Sequence, residues 1–349
     1  MKKLLSILLM SALCLTLLAG CGGSSGGGSE EAAEPVENTG ETYQLRLATH
    51  YNQEHLGYAA LERIKEKLET ESNGQLEITL YPSSQLGDYT LTFEELMEGT
   101  IDLALIPVPS EYDSRLEMNF IPYLINGYDG LEEAFGQDSY FFENYTQILS
   151  DLNIKLLGMY VEGLIGFGFS SMPDNYQDVN ADKSGMMVRA PAIEVYNLVT
   201  EDMGYSATTI AYADLYTAMQ TGVCNGWIGG TPQLNYSDFR DVIKYYVPYN
   251  VFAENIGFFM SQKIYDTLPA DLQQLIVDTF MEESVNSFAT AEQGDADALQ
   301  AMEDYGIEIL PLTDEEFQAY RDHVIEVTWP KLSKNIGEDI LQGLIDANT

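Results

Sequence analysis

The most constraining feature of this chain is a helical pattern near its end. Pro269 opens it, and it continues with little interruption to about Tyr305, with Gly294 as its only glycine. A helix this long is unusual inside an ordinary domain, and one that passes from one lobe to another accounts for it. The roughly three hundred residues beyond the amino-terminal region also exceed a typical single core and predict two domains.

Upstream of that helix, strand and helix patterns alternate. Residues 44–48 alternate polar and apolar side chains, as a half-buried strand does. Leu56, Ala59, Ala60, Ile64 and Leu68 recur at helical spacing over 55–71, and Asn73-Gly74 ends that helix. A strand over 75–81, a helix over 92–98 stopped by Gly99, and a strand over 101–106 follow. The middle repeats the theme with strands at 154–159, 167–170, 186–189 and 226–228 and a helix over 192–203. Such alternation predicts an α/β fold with largely parallel, covered sheets. Thr313-Asp314-Glu315-Glu316 supplies a capping box for a late helix, which Pro330 is expected to break or kink. No fixed-period repeat appears, which argues against a solenoid.

At the amino terminus Lys2 and Lys3 precede an apolar run from Leu4 to Leu18, then Ala19, Gly20 and Cys21. This is the order of a bacterial secretory signal over 1–20. Leu18-Ala19-Gly20-Cys21 also matches a lipobox, in which the Cys21 thiol takes a diacylglycerol and becomes the mature amino terminus. The alternative, an uncleaved membrane helix, is disfavoured because the run is shorter than the roughly 20 residues that cross a bilayer. Residues 21–42, glycine- and serine-rich and then acidic, have nothing to pack and read as a flexible tether. No other segment is apolar enough to span. The expected location is therefore extracytoplasmic, with the lipid on Cys21 as the only attachment to the cell membrane.

Charge and cysteine content narrow the function classes. The formal net charge is −39, and loss of Lys2 and Lys3 with the signal leaves 14 basic against 55 acidic residues. Such a surface repels nucleic acid and anionic lipid. It does not forbid an anionic ligand, because one local arginine outweighs a distant field screened over about 8–10 Å. Once Cys14 leaves with the signal and Cys21 is acylated, Cys224 is the only remaining thiol, so no internal disulfide can form. Its apolar neighbourhood suits a small buried residue better than a reactive one.

Catalytic signatures are missing. His50, His55 and His323 have no zinc-site spacing, so no metal or other cofactor is expected. There is no G-x-S-x-G elbow and no credible cysteine–histidine pair. Gly166 and Gly168 lack the third glycine of a dinucleotide loop, and Gly229-Gly230-Thr231 lacks the lysine of a phosphate loop.

Several blocks, in order and spacing, resemble the substrate-binding subunits of tripartite ATP-independent periplasmic (TRAP) transporters, the DctP family. They are Leu45-Arg46-Leu47-Ala48-Thr49-His50, then Leu80-Tyr81-Pro82-Ser83-Ser84-Gln85-Leu86-Gly87-Asp88, then Met187-Val188-Arg189-Ala190-Pro191, and finally Asp214 to Gly226. The similarity covers nearly all of the chain beyond the tether. It implies a two-lobed periplasmic-binding-protein fold of Venus-flytrap type, with 43–165 plus 256–295 as one lobe and 166–255 plus 296–349 as the other. The long helix then becomes the bridge between lobes.

The resemblance also implies a function. A receptor of this kind captures a small organic acid and delivers it to the small and large membrane subunits of a TRAP transporter. Arg189 matches the arginine with which the family grips a carboxylate, and a guanidinium presents two parallel N–H donors suited to two carboxylate oxygens. His50, Tyr89 and Pro107 stand at first-lobe cleft positions, and Tyr212 stands where an aromatic closes the second lobe. Trp227 could stack on ligand or fill the core beneath its sheet, and Gly229 could offer backbone donors. Two departures narrow the ligand. No arginine lies between Arg115 and Arg189, where sialic-acid binders carry another, and Asn225-Gly226-Trp227-Ile228-Gly229 replaces a more polar run. A small monocarboxylate or a dicarboxylate fits this better than a sugar acid. The binding subunit of an ATP-driven importer, a ligand-presenting sensor component and a surface lyase or hydrolase are the rival readings.

Overall fold

The computed structural model describes residues 40–125 and 127–348. The expected signal peptide, Cys21 and nearly all of the tether lie outside the described residues.

The strands in chain order are β1 (Tyr43–Thr49), β2 (Leu76–Tyr81), β3 (Leu103–Ile106), β4 (Ile154–Leu164), β5 (Gly166–Phe169), β6 (Lys183–Ala190), β7 (Tyr205–Thr209), β8 (Gly226–Gly230), β9 (Tyr245–Val247), β10 (Ala253–Ser261) and β11 (Glu308–Ile309). They make two sheets, ordered β2-β1-β3-β10-β4 and β11-β9-β5-β8-β6-β7, each the centre of one lobe. Pairing is parallel where a helix connects the strands, as for β1 with β2 and β3 and for β6 with β7 and β8. It is antiparallel for β10 against β3 and β4, and for β5 against β8 and β9. The expectation of largely parallel sheets is corrected accordingly. The cause lies in the connections: β5 and β10 arrive directly from the other lobe, and only a parallel neighbour within one sheet needs a helical crossover.

Three segments join the lobes. Between β4 and β5 the only residue is Ile165, and residues 248–252 lead from β9 to β10. These two crossings bond to each other through Ile165 N to Phe252 O (2.9 Å) and Val251 N to Ile165 O (3.0 Å). The third is the 36-residue helix Ala270–Tyr305, roughly 54 Å long at 1.5 Å per residue. Leu272, Ile276 and Phe280 bury its first turns, and Met302 buries its last. Between them it turns small, with Ser284, Ser287, Ala291 and Gly294, where it passes β4 and the helix Pro232–Phe239. A Cβ on Gly294 would lie 2.4 Å from Gln233 Nε2, which is why a glycine interrupts an otherwise good helix former. One turn position beyond, Asp295 Oδ2 accepts from Leu164 N (2.8 Å) and Tyr128 Oη (2.6 Å), pinning the long helix to the β4 crossing.

The capping box is formed: Thr313 Oγ1 accepts from Glu316 N (3.3 Å), and Glu316 Oε2 accepts from Thr313 N (2.8 Å). The expected break at Pro330 is not. The helix Asp314–Ile336 runs through it. Proline leaves the carbonyl four residues back without its helical donor, but buried Leu332 and Ile336 hold the last turns, and the neighbouring Trp329 indole donates to Pro122 O (2.9 Å). Cys224 is free and buried.

Candidate functional site

His50 and Pro107 are the first residues after β1 and β3, at the carboxyl ends of parallel strands, where open α/β sheets place ligands. Tyr89 begins the helix Tyr89–Glu98, whose N-cap Asp88 accepts from Thr90 N (3.2 Å). From the other lobe, Arg189 and Gly229 are the next-to-last residues of β6 and β8, and Tyr212 begins the helix Tyr212–Thr221. These six residues line one cavity between the two sheets, together with Pro191, Ile193, Tyr196, Leu234 and Glu254.

Arg189 is 2 % exposed. Its Nε donates to the Ile210 carbonyl at 2.8 Å, which fixes the plane of the guanidinium, while Nη2 is buried with no hydrogen-bond partner among the described residues. The guanidinium carbon lies 6.0 Å from the centre of the Tyr212 ring. Gly229, at φ +116°, keeps the approach open: a Cβ there would come to 3.7 Å from Arg189 Nη1. Burial pushes the Arg189 pKa down, opposed by Tyr89 and Tyr212. A guanidinium nevertheless stays charged in a protein.

His50 is buried, and its Nδ1 has no partner. Burial lowers its pKa to about 3 against the pull of Glu162, so the ring is neutral near pH 7. It packs edge-on to Tyr212, 5.2 Å between ring centres. Tyr212 Oη donates to Asp238 Oδ2 at 2.7 Å, and Tyr89 Oη accepts from Ala192 N at 3.1 Å, so each aromatic is anchored by its polar end.

Beneath the cavity lies a buried carboxylate hub. Glu162 of β4 accepts from Tyr51 Oη (2.6 Å) and from Thr231 Oγ1, and its backbone carbonyl accepts from Gln233 Nε2 (3.0 Å). His55 Nδ1 accepts from Gly57 N (3.0 Å), which puts the ring proton on Nε2. That nitrogen lies 3.3 Å from Glu162 Oε1, within ion-pair reach though off the line of a hydrogen bond. Burial works against the Glu162 charge, but His55, Thr231 and Tyr51 together outweigh it and hold the carboxyl below its usual range. Tyr51 and His55 come from the first lobe and Thr231 and Gln233 from the second, so this hub ties the lobes behind the ligand space.

The front of the cleft is bridged as well. Glu194 N donates to Glu117 Oε1 (3.0 Å), Asn52 Nδ2 donates to Ser237 O (3.3 Å), and Arg240 pairs with Glu54 (2.9 Å). The conformation is closed.

Trp227 is the expected site residue that the structure places elsewhere. It is fully buried, its Nε1 donates to Asn235 Oδ1 (3.0 Å), and its ring packs on Phe239 at 4.5 Å. It sits two residues before Gly229 on β8, one pleat deeper, under the helix Pro232–Phe239, and does not line the cavity. Five cavity residues went unanticipated, Pro191, Ile193, Leu234, Tyr196 and Glu254, and the last two are polar. Tyr196 belongs to the helix Glu194–Asp202, and its hydroxyl donates to Glu254 Oε2 at 3.2 Å. Glu254 is the one carboxyl in the otherwise neutral strand β10, and that isolation was the available signal. Burial and the Glu162 charge push its pKa well above the usual carboxylate range.

The sequence matches the family described as bacterial extracellular solute-binding protein, family 7 (DctP), over residues 47–334. Over 296 residues it is 23 % identical to the C4-dicarboxylate-binding periplasmic protein DctP of Rhodobacter capsulatus, covering 82 % of this chain and 84 % of that one. Among solved structures, a TRAP periplasmic solute-binding protein from Desulfovibrio salexigens with bound orotic acid superposes with a TM-score of 0.80 at 21 % identity, covering 88 % of this chain and 99 % of that one. The sugar acid binding protein DctPAm of Advenella mimigardefordensis, in complex with galactonate, gives 0.81 at 18 % identity, covering 88 % and 98 %.

Proposed function

The chain belongs to the family 7 bacterial extracellular solute-binding proteins, the DctP receptors of TRAP transporters, and on that premise we propose that it captures a small carboxylate on Arg189 and hands it to the small and large membrane subunits of such a transporter. One observation carries the reading: a buried guanidinium nitrogen without a partner, in a cavity walled by both lobes. A buried cation left unpaired is costly, and an entering carboxylate supplies the missing acceptors in parallel geometry. The ligands named for the three relatives, a C4-dicarboxylate, orotic acid and galactonate, all carry a carboxyl group, which supports the same chemistry here.

Capture works by differential stabilisation. A ligand held by Arg189, Tyr212 and Gly229 on one side and by His50, Tyr89 and Pro107 on the other makes its full set of contacts only when the cleft is shut, so binding shifts the hinge toward closure. The bodies that move are 43–165 plus 253–295 and 166–252 plus 296–349, the sequence-based start of the second piece at 256 being moved to 253 so that all of β10 stays with its own sheet. The closed form is what docks on the membrane subunits.

Arg189→Ala should weaken carboxylate binding by about 2–5 kcal/mol, because it leaves a buried carboxylate unpaired. Calorimetric titration with a panel of small carboxylates checks this, and affinity that survives within a few-fold refutes it. Lipid anchoring at Cys21 is the finer proposal on location, supported by the lipobox alone. Cys21→Ser should move the protein from the membrane fraction to the soluble one; a membrane-bound variant would remove that proposal.

A further inference from the structure

The cavity has two poles. At one stands Arg189, with its unpartnered Nη2 and the Tyr212 ring beside it. At the other stands Glu254, 3 % exposed, whose side chain accepts, among the described residues, from Tyr196 Oη. Arg189 comes from β6 of one sheet and Glu254 from β10 of the other. They face the same space and do not pair with each other. Pro107, Pro191, Ile193 and Leu234 line it between them, and Tyr89 adds a third aromatic ring.

A plain carboxylate answers only half of this. It satisfies Arg189 and leaves Glu254 to meet the rest of the ligand only as a neutral O–H donor. A molecule with an anionic and a cationic end engages Arg189 and Glu254 at once, the second through a charge-assisted pair in place of a neutral hydrogen bond.

We propose that the ligand of this receptor is a compact zwitterion, an amino acid, betaine or cyclic amidinium carboxylate, held with its carboxylate on Arg189 and its cationic group on Glu254. This rests on the assignment of Arg189 as the carboxylate anchor and narrows the class of acid. The groups facing Glu254 are Glu162 on β4, Arg189 and the tyrosines Tyr196, Tyr89 and Tyr51; since burial and Glu162 keep its proton on, an arriving ammonium must drive that proton to the buffer.

The purified chain is titrated by calorimetry with the proteinogenic amino acids, glycine betaine and 4-aminobutyrate, and in parallel with pyruvate, lactate and succinate. At least one zwitterion should bind, and tighter than the deaminated acids. Glu254→Gln, isosteric and neutral, should weaken that zwitterion at least about 30-fold while leaving plain carboxylates unchanged or improved. Titration in two buffers of different ionisation enthalpy should show proton release near pH 7 for the native protein and none for the variant. Circular dichroism of Glu254→Gln confirms folding. If no zwitterion binds, if the best one survives Glu254→Gln within a few-fold, or if a simple acid binds only with added sodium or calcium, the inference is overturned. Arg189→Gln separates the two levels: zwitterion binding that survives it removes the carboxylate anchor, whereas binding lost there but retained in Glu254→Gln removes only the cationic pole.

Discussion

Replacing Glu162 tests whether the buried hub behind the ligand space holds the lobes together. Glu162 is fully buried and satisfies two hydroxyl donors, Tyr51 Oη at 2.6 Å and Thr231 Oγ1, with His55 Nε2–H at 3.3 Å. In Glu162→Gln the amide oxygen can still face Thr231 and His55, but the amide nitrogen then meets Tyr51. The tyrosine oxygen accepts from it, and the hydroxyl proton loses its acceptor. One orphaned donor costs about 1–3 kcal/mol, and loss of the charge weakens the remaining contacts, so the expected destabilisation is about 2–4 kcal/mol. Glu162→Ala strands both hydroxyls and leaves a cavity beside His55, and should cost about 3–6 kcal/mol. Urea unfolding at pH 7 reads both. The same carboxyl is held below its usual range, so it binds fewer protons folded than unfolded; its contribution is present above the ordinary carboxylate pKa and is lost as pH falls through its lowered value. Glu162→Gln should therefore unfold with less acid dependence than the native chain. A variant as stable as the native protein, with unchanged acid sensitivity, would refute the hub.

Two further outcomes are expected. His50 takes up a proton near pH 6.5 when unfolded but only at about 3 when folded, so stability should fall as pH drops through that window, by up to about 1.4 kcal/mol per pH unit; His50→Asn should flatten the slope, and equal slopes in thermal unfolding would show that His50 does not titrate this way. Trp227→Phe should lower stability by about 1–3 kcal/mol, through lost packing on Phe239 and an Asn235 oxygen left without its donor, while ligand affinity stays within twofold; a large affinity loss at unchanged stability would return Trp227 to the ligand wall.

Periodicity made most of the fold legible, because strands such as β1 and helices such as Ala270–Tyr305 declare which face they bury. It failed where no face is exposed. β10 is buried at every position, so its sequence carries no alternation, and its antiparallel direction follows from a crossing between lobes that no local pattern records. Pro330 does not break its helix, because proline removes one backbone hydrogen bond and the tertiary packing of Leu332 and Ile336 outweighs that loss. The site was legible where motif and strand end coincide, at His50, Arg189 and Gly229. It was illegible in depth. Trp227 and Gly229 share a strand, and only the helix Pro232–Phe239 folding over the first decides that one is core and the other faces ligand. Glu254 shows the converse: among 55 acidic residues a single carboxyl carries no information until its strand is known to be buried throughout and its neighbours to include the cavity arginine Arg189. In a strongly acidic chain, then, function is read from the acids that burial isolates, and at this cavity burial isolates one from each side of the charge balance.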